Sequence, residues 1–260
     1  MEILLIDVGN TTINIATYRD DKLLKNFKLN TDNSKTSDEY YLDLNKFYDL
    51  TNIKDVVIAS VVPYITNELV TLFKNHLNID PILLQPKTKT GVNIIADNPR
   101  EVGADLIAGA ASLDNKSYLI IDLGTATKYI YVKNKTILGV VITPGVEISI
   151  KALVGKTALL PNIDIYVPKK VLGNNTTECM QSGVTYGAAA QIDGLIELIK
   201  DEVKDDFKVL ITGGLAPLIK PLIKHEVLCN PNLIFEGLLK IYHLNRQEIK
   251  RWLKQEEVNI

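Results

Sequence analysis

One stretch of this chain occurs twice: residues 5–12 read LIDVGNTT, and residues 120–127 read IIDLGTAT. In each copy an apolar run, typical of a buried strand, ends at an aspartate, turns at a glycine and continues into small hydroxyl or amide residues. The two aspartates, Asp7 and Asp122, stand 115 positions apart. Glycine lets a ligand approach the backbone closely, and successive N–H groups at such a turn form a concavity that binds anions. The repeat therefore predicts two similar halves that together hold a nucleotide, and it favours phosphoryl transfer.

The pattern of elements around the two copies predicts an α/β fold. In each half the first strand is followed by two more strands in a meander, and then by helices that alternate with single core strands. We expect a mixed five-stranded sheet with flanking helices in each half, domains at 1–114 and 115–260, and a cleft between them that binds ATP. The expected helices include one over 98–111, one from Thr176 or Thr177 to about Lys200, and a last one over 233–244.

Composition and charge exclude several classes of function. A net charge of −2 supplies no positive field for nucleic acid or an anionic membrane, and no apolar run reaches the length of a membrane helix. The start of the chain shows no export signal. The two cysteines, Cys179 and Cys229, lack close cysteine neighbours, which suits free thiols in a reducing compartment. We therefore expect a cytoplasmic protein without zinc, nucleic-acid or membrane partners.

Each Asp-x-Gly turn also indicates a cation. A carboxylate beside a phosphate-binding loop repels the phosphate unless a cation lies between them, so Asp7 and Asp122 are candidate cation ligands, directly or through water. The alternative is a pair of tight hairpins capped by aspartates. The occurrence of the pattern twice, each time after a buried strand, favours phosphate binding.

Four further residues are candidates for the site. Gly213 and Gly214 follow a strand and precede a helix, where paired glycines let an adenine or ribose lie against the backbone. Asp105 stands among small and apolar residues on a helix, where it is suited to act as a general base for an alcohol nucleophile. An ordinary exposed aspartate is the alternative for Asp105. Thr176 is either a helix cap or a ligand contact.

The ordered motifs DVGNTT, SVVP, NPREVGAD, DLGTAT, ITPG, LGNNTTECMQSG and TGGL resemble the type III pantothenate kinases over residues 3–244. This family belongs to the acetate and sugar kinase/Hsc70/actin superfamily, so the resemblance implies duplicated actin-like, ribonuclease H-like domains. It also implies ATP-dependent phosphorylation of pantothenate, the first step of coenzyme A synthesis, by a homodimer that needs Mg²⁺ and a monovalent cation, K⁺ or NH₄⁺.

Matching positions carry the family's site onto this chain. The resemblance implies that Asp105 is the catalytic base, that Asp122 holds the monovalent cation, and that Asp7 binds Mg²⁺ through water. The remaining implied contacts are to ATP phosphates (Asp7, Val8, Gly9, Asn10, Thr11, Thr12, Ile13, Asn14, Gly124 and Thr125) and to pantothenate (Gly103, Ala104, Asp105, Leu106 and Thr176).

The chain departs from the family pattern at a few positions. Leu106 stands where the family usually has arginine, Ala96 where it has tyrosine, and Val140 where a second glycine is usual. In the second loop Ile130 replaces an aspartate and Lys128 is gained. Leucine cannot hold a carboxylate as arginine does. We therefore expect weakened pantothenate binding, and we hypothesise that Lys128 stands in for a cation.

Two alternatives stay open at this point. One is a non-catalytic or regulatory nucleotide-binding paralogue, which the changes at Leu106, Ala96 and Ile130 favour. The other is a kinase of a different small alcohol, because the changes cluster on the acceptor side. Asp105 argues against simple loss of activity, because a carboxylate among apolar residues is costly to bury.

Overall fold

A computed structural model of the chain describes residues 2–258, with side chains as far as residue 246. The strands are β1 Glu2–Val8, β2 Thr12–Arg19, β3 Lys22–Asn30, β4 Ile53–Ser60, β5 Ile82–Leu83, β6 Asn93–Ile94, β7 Ser117–Leu123, β8 Ala126–Lys133, β9 Thr136–Pro144, β10 Lys208–Thr212 and β11 Leu228–Cys229. The helices are α1 Ser37–Phe47, α2 Pro63–Leu77, α3 Ala104–Ala111, α4 Val146–Lys156, α5 Thr176–Val203, α6 Ala216–Ile219 and α7 Leu233–Val258. None of the described helices is long and apolar enough to cross a membrane.

The first unit comprises residues 1–93, 97–113 and 233–260 and contains a five-stranded sheet of order β3-β2-β1-β4-β5. Strand β1 pairs antiparallel with β2 and parallel with β4, as the meander followed by a crossover predicts. Side chains alternate along β1, so Leu4 and Ile6 pack with the cluster that includes α1 and α2. Leu5 points to the opposite face and packs with residues of α3 and α7. Both faces of this sheet are therefore covered by helices.

The second unit comprises residues 94–96 and 114–232 and contains a six-stranded sheet of order β11-β10-β7-β8-β9-β6. Its core places Ile121 and Tyr129 of the sheet against Ile192 of α5. The sequence predicts five strands for this half, and the sheet has six. The sixth, β6, has two residues and pairs at the edge beyond β9, which is too short a segment to give a recognisable strand pattern.

Helix α7 differs most from the expectation. The sequence predicts a helix ending near Leu244, whereas the helix continues to Val258; the side chains of the charged tail lie outside the described residues. Buried Phe235 and Leu238 pack in the same cluster as Leu5 of β1. The contacts therefore group 233–260 with the first unit, whereas the expected boundaries assign this segment to the second half. The physical reason is that the apolar face of α7 packs on the sheet of the first unit. A local sequence pattern shows that a helix is amphipathic but not which sheet it covers.

Candidate active site

The first loop is a tight turn between β1 and β2. The backbone N–H of Gly9 donates to the carbonyl of Thr12 at 2.9 Å. Thr31, directly after β3, donates its hydroxyl to the carbonyl of Gly9 at 2.6 Å and its N–H to the carbonyl of Thr11 at 3.0 Å. Asn10 and Thr11 are exposed at the tip. The turn is thus fixed at its base, which leaves its tip accessible to a ligand. Sequence reasoning missed Thr31, because its role depends on the pairing of β2 with β3.

Asp7 is the last residue but one of β1 and is only 7% exposed. It lies opposite Asn14 in the antiparallel pairing of β1 and β2, and the Asn14 amide donates to Oδ2 of Asp7 at 3.1 Å. The register of the meander thus brings two of the expected phosphate-loop residues together. The amide orients the carboxylate without changing its charge.

Asp105 lies in the first turn of α3, and its side chain is half-buried. Its Oδ1 accepts from the N–H of Leu106 at 3.0 Å and also lies 2.5 Å from the position that a Cβ would occupy at Gly103. The carboxylate therefore folds back over the start of its own helix, where positive helix-dipole charge favours an anion. It is neither the freely exposed aspartate of the alternative nor a fully buried group.

Helix α3 begins later than the sequence predicts. The expected helix over 98–111 is broken: Pro99–Glu101 forms a single 3₁₀ turn, and the α-helix starts at Ala104 after extended residues Val102 and Gly103. Asn98 caps the short turn, because its side-chain oxygen accepts a hydrogen bond from the N–H of Arg100. Gly103 is consequently the N-cap residue, so that Asp105 falls in the first helical turn.

Val61 connects the start of α3 to the first loop. Its N–H donates to the carbonyl of Val8 at 3.0 Å, at the end of β1. Its Cγ1 lies 3.7 Å from the Cβ position of Gly103. The structure therefore places the Asp105 segment beside the end of the strand that carries Asp7, within the first unit.

The residues that depart from the family pattern lie in different surroundings. Leu106 is 8% exposed and Ile130 is 2% exposed, so both side chains are buried. Ala96 is exposed. A guanidinium at position 106 would need either solvent or an anionic partner, whereas the leucine contributes to packing.

An ion pair lies at the base of the second loop. Asp122 and Lys128 lie opposite one another in the pairing of β7 with β8, and Nζ of Lys128 is 3.2 Å from Oδ2 of Asp122. The side chains are 14% and 20% exposed. Both carboxylate oxygens of Asp122 lie within 3.7 Å of the Cβ position of Gly124. The pair thus lies directly beneath the turn of the loop.

Two other segments close around the second loop. A Cβ at Gly145 would lie 2.3 Å from the carbonyl oxygen of Thr125, so only glycine allows the start of α4 to approach the loop this closely. Gly213, at φ +95°, would place a Cβ 2.5 Å from the carbonyl oxygen of Leu123. A left-handed backbone and this close approach both require glycine. The predicted Gly213-Gly214 turn is therefore held against the end of β7.

Thr176 lies at the beginning of α5, and the cap differs from the expectation. Asn175 is the capping residue, because its side chain accepts from the N–H of Glu178 at 2.9 Å, whereas Thr176 is exposed in the first turn. Thr176 lines a groove of about 820 Å³ along α4 and α5, together with Thr127, Ser149 and Gln191. Sequence reasoning did not identify this groove, because its walls come from segments far apart in the chain.

Comparisons with known proteins agree with the motif resemblance. A family model described as type III pantothenate kinase matches residues 3–198. A type III pantothenate kinase from Acholeplasma laidlawii (strain PG-8A) is 51% identical over 244 residues, which cover 94% of this chain and 99% of that protein.

Solved structures are similar in fold. A protein from Campylobacter jejuni described as a Baf family transcriptional activator has a TM-score of 0.59 and 23% identity, covering 94% of this chain and 99% of that chain. The activator of 2-hydroxyisocaproyl-CoA dehydratase from Clostridium difficile, solved with bound ADPNP, has a TM-score of 0.54 and 11% identity, covering 98% of each chain. These similarities confirm the predicted actin-like α/β architecture.

Proposed function

Because this chain belongs to the type III pantothenate kinase family, we propose that it transfers the γ-phosphoryl group of ATP to the hydroxyl of pantothenate, the first step of coenzyme A synthesis. The observation that supports this most directly is the Asp105 carboxylate. It is half-buried at the start of α3, and Val61 joins that segment to the end of the strand that carries the first loop.

In the proposed mechanism Asp105 accepts the proton of the attacking hydroxyl. Its carboxylate is oriented by the N–H of Leu106 and by the close approach to Gly103. Gly103, Ala104 and Leu106 form the surroundings of the acceptor at this end of α3. We assign Thr176, which lines the groove along α5, as a further pantothenate contact.

ATP binding is assigned to both loops. In the first, the phosphates are bound by the backbone and side chains of residues 8–14, with Thr31 fixing the turn. In the second unit, Gly124 and Thr125 contact phosphate, and Gly213 and Gly214 present flat backbone to the adenosine. The start of α4 lies against this loop, and a helix N-terminus favours an anion.

Asp7 fits the role of a water-mediated Mg²⁺ ligand. Mg²⁺ prefers oxygen ligands, keeps several waters and is bound through one or two carboxylates plus substrate phosphates. No group of three or more His, Cys, Asp or Glu side chains in the described part of the chain is arranged to hold a metal, so a single carboxylate with phosphate oxygens is the arrangement that fits. When bound, the metal would neutralise negative charge on the transferred phosphoryl group.

The proposal also includes a homodimer in the cytoplasm. The dimer comes from the family resemblance. The cytoplasmic location is supported by the two free cysteines, which suit a reducing compartment.

A kinase of a different small alcohol is the second candidate, and Leu106 is the observation that favours it. The side chain is buried and apolar where the family usually presents a guanidinium to its substrate. An acceptor without a carboxylate would suit this position equally well.

An ADP-release assay with pantothenate from micromolar to tens of millimolar tests the proposal. We expect saturable turnover that Asp105→Asn lowers by about 10²- to 10⁴-fold, the contribution of a general base. Asp80→Asn, at an aspartate that is 82% exposed and paired with Lys74 outside the site, is the matched control and should leave turnover unchanged. Calorimetry should show ATP bound equally by both variants.

Two outcomes would contradict the proposal. Turnover with other alcohols but not with pantothenate would assign the chain to the second candidate. Tight ATP binding with no transfer to any alcohol would assign it to the nucleotide-binding paralogues.

A further inference from the structure

The two loops place different partners beside equivalent carboxylates. Asp7 faces Asn14 across β1 and β2, and Asp122 faces Lys128 across β7 and β8. The nitrogen-to-oxygen distances are nearly equal, 3.1 Å for the amide and 3.2 Å for the ammonium. The paired strands therefore bring a neutral amide to Asp7 and a cationic ammonium to Asp122.

The Lys128–Asp122 pair lies beneath the second loop, and both side chains are largely buried. The side chains are 20% and 14% exposed, so solvent and salt screen the pair less than an exposed pair. Lys128 lies on a strand between Thr127, which is buried, and Tyr129, which is fully buried. Its backbone is therefore fixed in the sheet, with the side chain on the same face as that of Asp122.

A soluble monovalent cation does not fit this donor set. The family resemblance implies such a cation at Asp122, and its ligands would have to be oxygens. Here one oxygen of Asp122 already binds an ammonium, which donates hydrogen bonds and has no lone pair with which to coordinate. A cation on the same carboxylate would lie within a few ångströms of a like charge, which repels it.

Resting on the proposed function, we propose that Lys128 is the resident cation of the second loop: its ammonium takes the place of the soluble monovalent cation, so that the reaction needs no added K⁺ or NH₄⁺. The positive charge lies beneath the turn of Gly124, where it reduces the repulsion between Asp122 and an incoming phosphate. Lys128 acts through Asp122 and the loop, and so it is a positioning residue.

The test measures turnover and ATP affinity of the full-length protein with Mg²⁺, in buffers whose only monovalent cation is tetramethylammonium, and then with K⁺ or NH₄⁺ added. For the wild type we expect less than about a twofold change in either quantity on addition. Lys128→Met removes the charge at similar length. It should lose about tenfold or more in ATP affinity without K⁺, the usual size of a charge-assisted contact, and regain part of it with K⁺ or NH₄⁺. Lys128→Arg should stay close to the wild type.

Lys133→Met is the matched control on the same strand. Lys133 is 46% exposed and pairs with Asp205 away from the loop, so this variant should keep the wild-type response to salt. Thermal melting of every variant establishes that it is folded. If Lys128→Met does not fold, the cation response of the wild type and of Lys128→Arg decides the question.

Strong activation of the wild type by K⁺, of about tenfold or more, would overturn the proposal. So would a folded Lys128→Met variant with unchanged ATP affinity and an unchanged response to K⁺. The ATP-affinity measurement keeps this test separate from the proposed function. If pantothenate is not phosphorylated in any salt, the proposed function fails, and the dependence of ATP affinity on K⁺ still decides the role of Lys128.

Discussion

A Cβ atom at Gly103 would lie 2.5 Å from Oδ1 of Asp105, closer than any real Cβ contact. Gly103 therefore sets the position of the carboxylate, which folds back over the start of α3 into the space that the absent side chain leaves. The backbone at Gly103 has an ordinary φ of −58°, so the requirement for glycine comes from this close approach alone.

Gly103→Ala should consequently lower activity more than stability. The clash involves the end of a movable side chain, so the carboxylate shifts while the fold persists. We expect a fall in kcat of about 10- to 100-fold, because small displacements of a catalytic group are costly, with a small change in melting temperature. Steady-state kinetics together with thermal unfolding checks this. A large loss of stability with unchanged kcat would show that Gly103 serves packing instead.

Discrimination against an uncharged acceptor should be weak. Because Leu106 cannot bind a carboxylate, the chain should phosphorylate pantothenate and its alcohol analogue, pantothenyl alcohol, with kcat/KM values within about threefold of one another. A charge-assisted bond to the carboxylate would instead favour pantothenate by roughly 10- to 150-fold. The two substrates are compared in the same ADP-release assay. A preference for pantothenate of roughly 10- to 150-fold would indicate that another cationic group replaces the missing arginine.

The packing of α3 against α7 should be intolerant of a single methyl group. A Cβ at Gly237 would lie 1.7 Å from the carbonyl oxygen of Ala108, so Gly237→Ala forces the two helices apart. We expect a loss of about 3 kcal/mol or more in the free energy of unfolding, at the upper end of the range for overpacking. Gly194→Ala is the control, because no described atom lies within 4 Å of its Cβ position. In the exposed middle of α5 that change should stabilise by about 0.5–1 kcal/mol. Urea denaturation measures both.

Stability should depend on the charge of His225. Hydrogen bonds to Asp193 and Glu197 raise the pKa of His225 above its ordinary 6.5. Because the pKa of His225 is higher in the folded state, its protonation stabilises the fold. This contribution to the free energy of unfolding is fully present below the unfolded pKa and is lost as pH rises through the folded pKa. We expect the charge of His225 to contribute about 1 kcal/mol or less to the free energy of unfolding, because Glu197 is 63% exposed and solvent screens such pairs.

Denaturation of the wild type and of His225→Gln at about pH 6 and about pH 9 checks this expectation. The difference between the two proteins should be largest at the lower pH and should shrink at the higher one. An equal difference at both values would mean that His225 contributes through packing or neutral hydrogen bonds alone.

Local pattern was enough to identify the strands that carry both loops. Apolar runs ending at Asp7 and Asp122 predicted β1 and β7, and the alternation that follows each predicted a meander, all of which the structure confirms. These elements were predictable because their side-chain period and their glycine turns are properties of neighbouring residues. The ordered motifs likewise indicated the family, which the comparisons confirm.

Contacts between distant segments could not be predicted in this way. The sequence contains Gly237 and Ala108, but only packing shows that α7 lies on α3 within the first unit. It contains Lys128 and Asp122, but only the pairing of β7 with β8 shows that the ammonium meets the carboxylate. Sequence alone therefore determined the strands that carry both loops and the family of this protein, because both are properties of short motifs. Tertiary structure alone decided that Val61 brings the Asp105 segment beside the end of β1 and that Lys128 neutralises Asp122, because each depends on atoms that meet only when the chain folds.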